Sequence, residues 1–376
     1  ADLNNVGILI LNSATSNNIT NNVIDTNGTY NNQGIFFWQN SSDNYIAHNI
    51  VRPKGMLDFN LGIRFRDGSN NNQVYNNTIN TSGAFGNAGF SVNNAQNNTI
   101  RDNVVNTQGT AGGNFGMVLL NGASNNVVAN NSFSTNGTID NHGIIFLNAN
   151  NDNNLVENNS IDISGGDSDS ILVRTSAGNR FINNVLLNHT RFAVHLDQSL
   201  QTIFNNSLIP TGSGSLFINE TNSSVQYLQS LNFTILTNLS EIVNLSFSLI
   251  FVNTTDVRGN QMNRSAILTF SGLAFTDPRP LVDFEDDSTF EVCNGPQCNE
   301  ISYNSTTGIF VFNVSSFTTY SSQETSTVPI GNATSCGLVT SDVTMMVPVF
   351  ANATCYTLNP SNIVIDCAGL SIFYDR

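Results

Sequence analysis

The chain has 376 residues, enough for two or three domains that each bury a core. Only 10% of the residues are charged, and 12 basic against 27 acidic residues give a net charge of −15, so nucleic acid and anionic membrane surfaces are excluded as partners. No apolar run approaches the roughly 20 residues of a transmembrane helix, so no membrane span is predicted. Asparagine, about one residue in six, is the feature that a fold must explain.

A repeat of roughly 27 residues runs through the first half of the chain. Each copy opens with a Gly-apolar-x-apolar signal, which begins at Gly7, Gly34, Gly62, Gly89, Gly116 and Gly143. About ten residues later each copy carries Asn-x-apolar-x-x-Asn-x-apolar. We place the second asparagine of this signal at Asn22, Asn49, Asn77, Asn103, Asn131, Asn159, Asn184 and Asn206.

Apolar residues that alternate at period two over four or five positions predict short strands. Such strands cannot bury their apolar face alone, so successive copies must stack in parallel, which predicts a parallel β-helix of about eight coils over residues 1–224. An asparagine at one register in every coil then forms a ladder, in which each amide donates to one neighbouring coil and accepts from the other.

These repeats resemble the NosD-type right-handed β-helix repeats of archaeal and bacterial surface proteins. The resemblance covers about residues 1–220 and rests on the spaced Asn-x-Ile-x-x-Asn-x-Ile motif with its upstream Gly-Ile-x-Phe. It implies a right-handed helix in an exported, cell-surface protein. The motif indicates a fold more specifically than a function.

The pattern changes near residue 225, where longer alternating strands separated by polar turns predict a small Ig-like β-sandwich over residues 225–324. The stretch 308–321 resembles the last strand of sandwich modules that adjoin such β-helices. The whole chain is therefore predicted to be all-β.

The last segment, residues 325–376, resembles the opening coil of the same β-helix family, although here it follows the repeats. We therefore expect this coil to stack on the first coil of another copy, head to tail, and to build an extracellular filament or cell-surface coat from identical subunits. Two alternatives stay open: the chain is one period of a longer tandem protein, or the segment folds back as a cap on its own first coil.

Asparagine has a second expected role, as a carrier of N-glycans. In residues 1–215 about 11 Asn-x-Ser/Thr sequons occur where about eight are expected by chance, but in residues 216–376 about 11 occur where about four are expected. Selection for hydroxyl-flanked turns is the alternative reading. The candidate acceptors are Asn219, Asn222, Asn232, Asn238, Asn244, Asn253, Asn263, Asn304, Asn313, Asn332 and Asn352.

Five cysteines fit an exported chain. Cys293 and Cys298 flank a four-residue turn that is short enough for a local disulfide. Among the other three, Cys336 and Cys355 are the preferred pair, which leaves Cys367 as a free thiol. Metal binding is the alternative, but no histidine lies among them, so no metal or other cofactor is expected.

Parallel β-helices also carry polysaccharide lyases and hydrolases, whose sites need paired carboxylates, or a base with Ca²⁺, on adjacent coils. The candidate groups are Arg64, Arg66 and Asp67 with Arg101 and Asp102, the pair Asp167/Asp169, the pair His195/Asp197, and the acidic run 283–287. Solvated strand faces and turn caps explain most of them. The chain is therefore expected not to be an enzyme, with a carbohydrate-active enzyme as the alternative.

A carbohydrate-binding adhesin is the other alternative. Phe36, Phe37 and Trp38 form an aromatic run that could stack on sugar rings, although a buried aromatic core is the usual role of such a run.

Overall fold

The computed structural model describes residues 5–212 and 214–324. Beyond these it describes seven short strands near the C-terminus, Gly331–Ala333, Gly337–Val339, Val343–Met345, Val349–Ala351, Tyr356–Leu358, Ile365–Asp366 and Ile372–Tyr374. The described residues form strands, turns and two short 3-10 helices, Leu239–Glu241 and Gly259–Met262, so the all-β prediction is confirmed.

The first part is a parallel β-helix with three sheets, in which each strand pairs with the equivalent strand of the next coil. Sheet 1 contains Val6–Ile10, Gln33–Phe37, Leu61–Arg66, Ala88–Asn93, Phe115–Leu120, Ile144–Leu147, Ile171–Arg174, Val194–Asp197 and Leu216–Asn219. Sheet 2 contains Asn18–Thr20, Tyr45–Ala47, Gln73–Tyr75, Thr99–Arg101, Val127–Ala129, Leu155–Glu157, Arg180–Ile182 and Ile203–Asn205. Sheet 3 contains Val23–Gly28, Ile50–Gly55, Thr78–Gly83, Val104–Gly109, Ser132–Ile139, Ser160–Gly166 and Val185–Leu187.

Seven coils contribute a strand to all three sheets. The eighth coil contributes to sheets 1 and 2, but its last strand, Ser207–Ile209, leaves sheet 3 and pairs antiparallel with Leu231–Phe233. The predicted eight coils are therefore seven complete coils and one that begins the transition to the next part.

The core lies between the three sheets. Inward-facing apolar side chains at equivalent positions of successive coils stack on each other and form columns along the helix. Phe37 and Phe65, for example, stack in adjacent coils with ring centroids 5.0 Å apart. The repeated glycine allows sheet 1 to approach sheet 3: a Cβ atom on Gly89 would lie 2.1 Å from Cγ1 of Val105 and 2.8 Å from the carbonyl oxygen of Gly116. Any larger residue there would force the two sheets apart.

The asparagine ladder runs through the buried turn between sheets 2 and 3. The side-chain nitrogen and the backbone nitrogen of each asparagine both donate to Oδ1 of the asparagine one coil on, from Asn22 to Asn184. The first asparagine of each signal forms a parallel ladder from Asn17 to Asn179.

A third ladder, which the sequence analysis missed, lies between sheets 3 and 1. It joins Asn5, Asn32, Asn60, Asn87, Asn114 and Asn141 by side-chain hydrogen bonds of 2.7 to 3.0 Å. Each of these residues stands two positions before the repeated glycine. An Asn-x-Gly signal was therefore present in the sequence.

Asn206 does not belong to the ladder, so the predicted alignment of the eighth coil was wrong. Phe181 pairs with Phe204, which places Ser207 opposite Asn184. Ser207 is buried, and its hydroxyl donates to the carbonyl oxygen of Phe181 at 3.0 Å, whereas Asn206 is exposed in a turn with φ 45°. A shift of one residue inverts every side chain of a strand, so the alignment through Asn206 was one position early.

Beyond the eighth coil sheet 1 continues without a break into the second part. Antiparallel strands extend it in the order Ser223–Tyr227, Ala266–Phe270, Ile309–Val314 and Cys298–Asn304. A second antiparallel sheet has the order Val243–Ser246, Leu249–Val252, Thr319–Glu324, Pro278–Asp283 and Glu291–Val292. Both sheets share the core of the β-helix through large buried side chains such as Tyr227, Phe270 and Tyr320. Together with Thr237–Asn238, which pairs with the eighth coil, this part closes that end of the helix.

Candidate functional sites

The end of the β-helix formed by the first coil is open in the described residues. Its strands Val6–Ile10, Asn18–Thr20 and Val23–Gly28 pair with the second coil on one edge and with no described strand on the other. Core residues Ile10, Ile19 and Ile24 are 7 to 8% exposed, whereas the corresponding residues of the second coil are fully buried. Solvent therefore reaches the core of the first coil at this end of the stack of coils.

The asparagine ladders also end there with a defined polarity. Asn17 and Asn22 donate to the second coil, but no described residue donates to their Oδ1 atoms. In every later coil of these two ladders that atom accepts two hydrogen bonds from the preceding coil. The open end thus offers three strand edges and two amide acceptors to a further coil.

The seven C-terminal strands also pair in parallel, and they do so in three separate sheets. Gly337–Val339 pairs with Tyr356–Leu358, and Val349–Ala351 pairs with Ile372–Tyr374. The third sheet has the order Gly331–Ala333, Val343–Met345 and Ile365–Asp366. Three sheets of short parallel strands are the arrangement of a β-helix coil, as in the first part of the chain.

Nine of the proposed glycan acceptors lie in the described residues, and none of them is buried. Asn232, Asn244, Asn304 and Asn313 are exposed, and Asn219, Asn222, Asn238, Asn253 and Asn263 are half-buried. Nδ2, the atom to which an N-glycan is attached, donates to Asp197 in Asn219 and to Glu241 in Asn238. Asn332 and Asn352 lie where the structure does not describe side chains.

Several of these asparagines also hold turns through their side-chain oxygen. Oδ1 of Asn304 accepts from the N–H groups of Thr306 and Thr307, and Oδ1 of Asn263 accepts from the N–H of Phe317 at 2.9 Å. A turn function and a glycan do not exclude each other, because the turn uses the oxygen and the glycan uses the nitrogen.

Cys293 and Cys298 form a disulfide, with their Cα atoms 5.6 Å apart. The predicted pair Cys336 and Cys355, and Cys367, lie outside the described residues. No group of three or more His, Cys, Asp or Glu side chains in the described part of the chain is arranged to hold a metal ion.

The outer face of sheet 1 carries a buried ionic cluster around Asp169, whose side chain is inaccessible to solvent. Nε of Arg191 donates to Oδ1 of Asp169 at 2.9 Å, and Nη2 of Arg191 donates to Oδ2. Nδ1 of His195 lies 3.2 Å from Oδ2, and the N–H of Asp169 donates to Nδ1 of His142 at 3.1 Å. The cluster therefore joins the sixth, seventh and eighth coils.

The pKa values in this cluster follow from burial and charge. Burial raises the pKa of Asp169, but the hydrogen bonds from Arg191 and His195 outweigh it and hold that pKa below its ordinary value. The carboxylate in turn raises the pKa of Arg191. Burial lowers the pKa of His142 to about 4, so His142 is neutral near pH 7 and accepts the Asp169 N–H. The cluster satisfies its own charges, as a structural ion pair does.

The predicted carboxylate and histidine pairs are not formed. Asp167 is exposed in a turn with φ 47°, away from the buried Asp169. Asp197 accepts from Asn219 and lies 3.9 Å from Nε of Arg174, while His195 contacts Asp169 instead.

Two further candidate groups are also separated or used in turns. Arg101 belongs to sheet 2 and pairs with Asp102, whereas Arg64 and Arg66 belong to sheet 1. In the run 283–287 Asp283 is buried rather than solvated, and it accepts from the N–H groups of Asp287 and Ser288.

The aromatic run 36–38 divides between the two faces of sheet 1. Phe37 is buried in the core. Its two neighbours in the chain, Phe36 and Trp38, point to the opposite face of the sheet and stack on each other with ring centroids 5.8 Å apart. Arg64 lies over the Phe36 ring at 4.9 Å and Arg66 over the Trp38 ring at 5.8 Å. This face therefore presents aromatic and basic groups side by side.

No helix in the described residues is long and apolar enough to cross a membrane. No protein-family model matches the chain. The search of curated proteins also found no match. A solved structure of a mutant tailspike protein from E. coli bacteriophage HK620 shares 11% sequence identity over 80% of this chain and 72% of that chain, with a TM-score of 0.17. So low a score carries no functional argument, and the fold assignment rests on the strand pairing described above.

Proposed function

We propose that the protein is a structural subunit of an extracellular, glycosylated filament or cell-surface coat of the NosD-like kind. In this proposal, the C-terminal coil of one subunit stacks on the open first coil of the next. The observation that carries the proposal is the presence, in one chain, of an open β-helix end and of short parallel strands that already form three sheets.

Strand direction supports the fit between the two surfaces. The first coil presents three free edges that pair in parallel on their other side, so a partner coil with three parallel strands continues all three sheets. Such stacking covers Ile10, Ile19 and Ile24 and removes edges that otherwise promote aggregation.

The closed opposite end makes this contact directional. Antiparallel strands cover the eighth coil, so the stacking surfaces of a subunit are different from each other. A contact between two different surfaces forms a ring when its rotation closes and a filament when it does not. N-glycans on the second part would keep a polymer with few charged residues in solution.

The test compares a substitution at the open end with one beside it. Ile8→Lys puts a charge at the half-buried rim of the first coil, whereas Val23→Lys changes a residue of the same coil that is 62% exposed. We expect unmodified chain and Val23→Lys to form rods by negative-stain electron microscopy, and Ile8→Lys to stay monomeric with an unchanged circular dichroism spectrum.

Two results would overturn the proposal. A monodisperse monomer of the unmodified chain, with no rods, would indicate that the C-terminal coil caps its own subunit. Rods formed equally by Ile8→Lys would show that assembly uses another surface.

A further inference from the structure

A groove of about 270 Å³ runs along the outer face of sheet 1 across four coils. Apolar side chains such as Leu120 and Leu147 line most of it, and its polar side chains are those of Asn31, Arg64, Ser91 and Asn93. The four coils span roughly 14 Å at about 4.8 Å between neighbouring strands. An elongated groove with a few polar groups on an apolar floor is the usual form of a ligand site.

Arg64 is the cation of this groove, and it has no acidic partner among the described residues. Its Nε atom is buried without a hydrogen bond, and burial, followed by the charge of Arg66, lowers its pKa despite the opposing effect of Asp67. Nε of Arg66, two residues on, is also buried without a hydrogen bond, but it lies 3.1 Å from a carboxylate oxygen of Asp67, which supplies a counter-charge. A partly desolvated guanidinium without a counter-ion is stabilised by any anion that enters the groove.

Two neutral polar groups accompany the cation. The hydroxyl of Ser91 has no hydrogen-bond partner in the described part of the chain, and Ser91 stands directly opposite Arg64 in the next strand of sheet 1. Oδ1 of Asn93 accepts from Asn121 at 3.1 Å, which leaves its Nδ2 free to donate. Hydroxyl and amide groups of this kind bind the hydroxyls of a sugar.

Aromatic rings complete the walls. Phe59 is 51% exposed and lies at a turn whose left-handed conformation, φ 57°, recurs in the neighbouring coils at Asn31 and Gly86. Its ring packs edge-on against Phe85 at 6.3 Å. Phe115, in the fifth coil, also lines the groove and stacks on His142 with ring centroids 6.0 Å apart. Rings fixed in this way offer flat apolar faces to a ligand.

We propose that this groove binds an oligosaccharide that contains an acidic sugar, with the anionic group of that sugar on Arg64 and its neighbouring rings against Phe59 and Phe115. Charge complementarity selects this occupant over an apolar peptide, because a peptide without an acidic side chain would further desolvate the half-buried guanidinium without pairing its charge. The site is separate from the stacking surfaces proposed for assembly, since it lies on the outer face of sheet 1, between the second and the sixth coils.

The probe is trigalacturonate, and galactotriose is its matched neutral control. Trp38 is the single tryptophan of the chain and stacks on Phe36, whose ring contacts Arg64, so its fluorescence reports binding beside the groove. We expect trigalacturonate to change this fluorescence with saturation and to bind at least about tenfold more tightly than galactotriose.

Substitutions locate the binding site. Arg64→Gln should weaken trigalacturonate binding about tenfold or more, and Phe59→Ala should weaken the binding of both trigalacturonate and galactotriose. Arg264→Gln, at an exposed arginine of the second part, should leave the affinity unchanged. Circular dichroism confirms that each variant is folded.

The proposal is overturned if trigalacturonate does not bind at millimolar concentration, if galactotriose binds equally well, or if Arg64→Gln binds like the unmodified chain. A bound apolar peptide that Arg64→Gln does not affect would also overturn it. None of these results depends on whether the subunit forms filaments.

Discussion

Nδ2 of Asn103 donates a hydrogen bond of 2.9 Å to Oδ1 of Asn131, although the two residues are 28 positions apart in the chain. The backbone nitrogen of Asn103 donates to the same oxygen at 3.0 Å. The side-chain oxygen of one buried asparagine thus accepts hydrogen bonds from both the side chain and the main chain of the asparagine in the preceding coil. The same pair of hydrogen bonds is repeated from coil to coil. This relay lets a sharp turn be buried without unpaired polar groups.

Replacement of Asn103 by alanine should destabilise the β-helix strongly. The change leaves Nδ2 and the backbone N–H of Asn77 without Oδ1 of Asn103 as their acceptor, and it removes the side-chain donor to Oδ1 of Asn131, which together cost about 3 kcal/mol in the free energy of unfolding. Urea unfolding followed by circular dichroism measures the loss. Asn136→Ala, at an exposed strand position, is the control and should stay within about 0.5 kcal/mol of the unmodified chain. Equal losses would contradict the ladder.

A pair of neighbouring residues tests the register of the eighth coil. Ile209 is 1% exposed and Leu208 is 56% exposed, which is the opposite of the alignment that includes Asn206. Ile209→Asp buries a carboxylate and should lower the free energy of unfolding by about 4 kcal/mol or more, while Leu208→Asp should have little effect. Thermal unfolding of the two variants decides between the registers. A larger loss for Leu208→Asp would restore the earlier alignment.

Acid should weaken the fold through His142. Burial holds its pKa at about 4 in the folded state against 6.5 for an ordinary histidine, so between these values the unfolded chain binds a proton that the folded chain does not. The corresponding stability is present above about pH 6.5 and is lost as the pH falls towards 4, by about 3 kcal/mol. Urea unfolding at a series of pH values measures this slope.

His142→Asn should flatten that slope, because asparagine keeps an acceptor for the Asp169 N–H but does not titrate. A smaller slope should persist, since burial also lowers the pKa of His189. The control is His48→Asn, at an exposed position with φ 57° that asparagine tolerates. An unchanged slope in His142→Asn would show that other groups control the acid response.

Native material should carry N-glycans on the second part of the chain. Asn244 is exposed and its Nδ2 has no hydrogen bond in the described residues, so Asn244→Gln should remove the mass of one glycan in the glycosylating host. Asn260→Gln, at an exposed asparagine outside any sequon, should change the mass only by the substitution. Glycopeptide mass spectrometry makes the comparison, and unmodified peptides throughout would refute the expectation.

The repeats made the β-helix predictable. Three local signals recur in every coil because the coils stack: the period-two alternation, the nearly constant repeat length, and the glycine where two sheets approach each other. The ladder from Asn22 to Asn184 followed from the same periodicity. The prediction failed at Asn206, where the coil is shorter and the strand lengths alone do not determine the register.

The sequence by itself therefore determined the fold class, the repeat and the column of amides, because these depend on patterns within one coil. The tertiary structure alone decided which side chains meet across coils. Asp169 contacts Arg191 and His195 rather than Asp167, and Arg64 is left unpaired while Arg66 finds Asp67. The physical reason is that the contacts of Asp169 join residues on neighbouring coils, and loops of unequal length set which residues become neighbours.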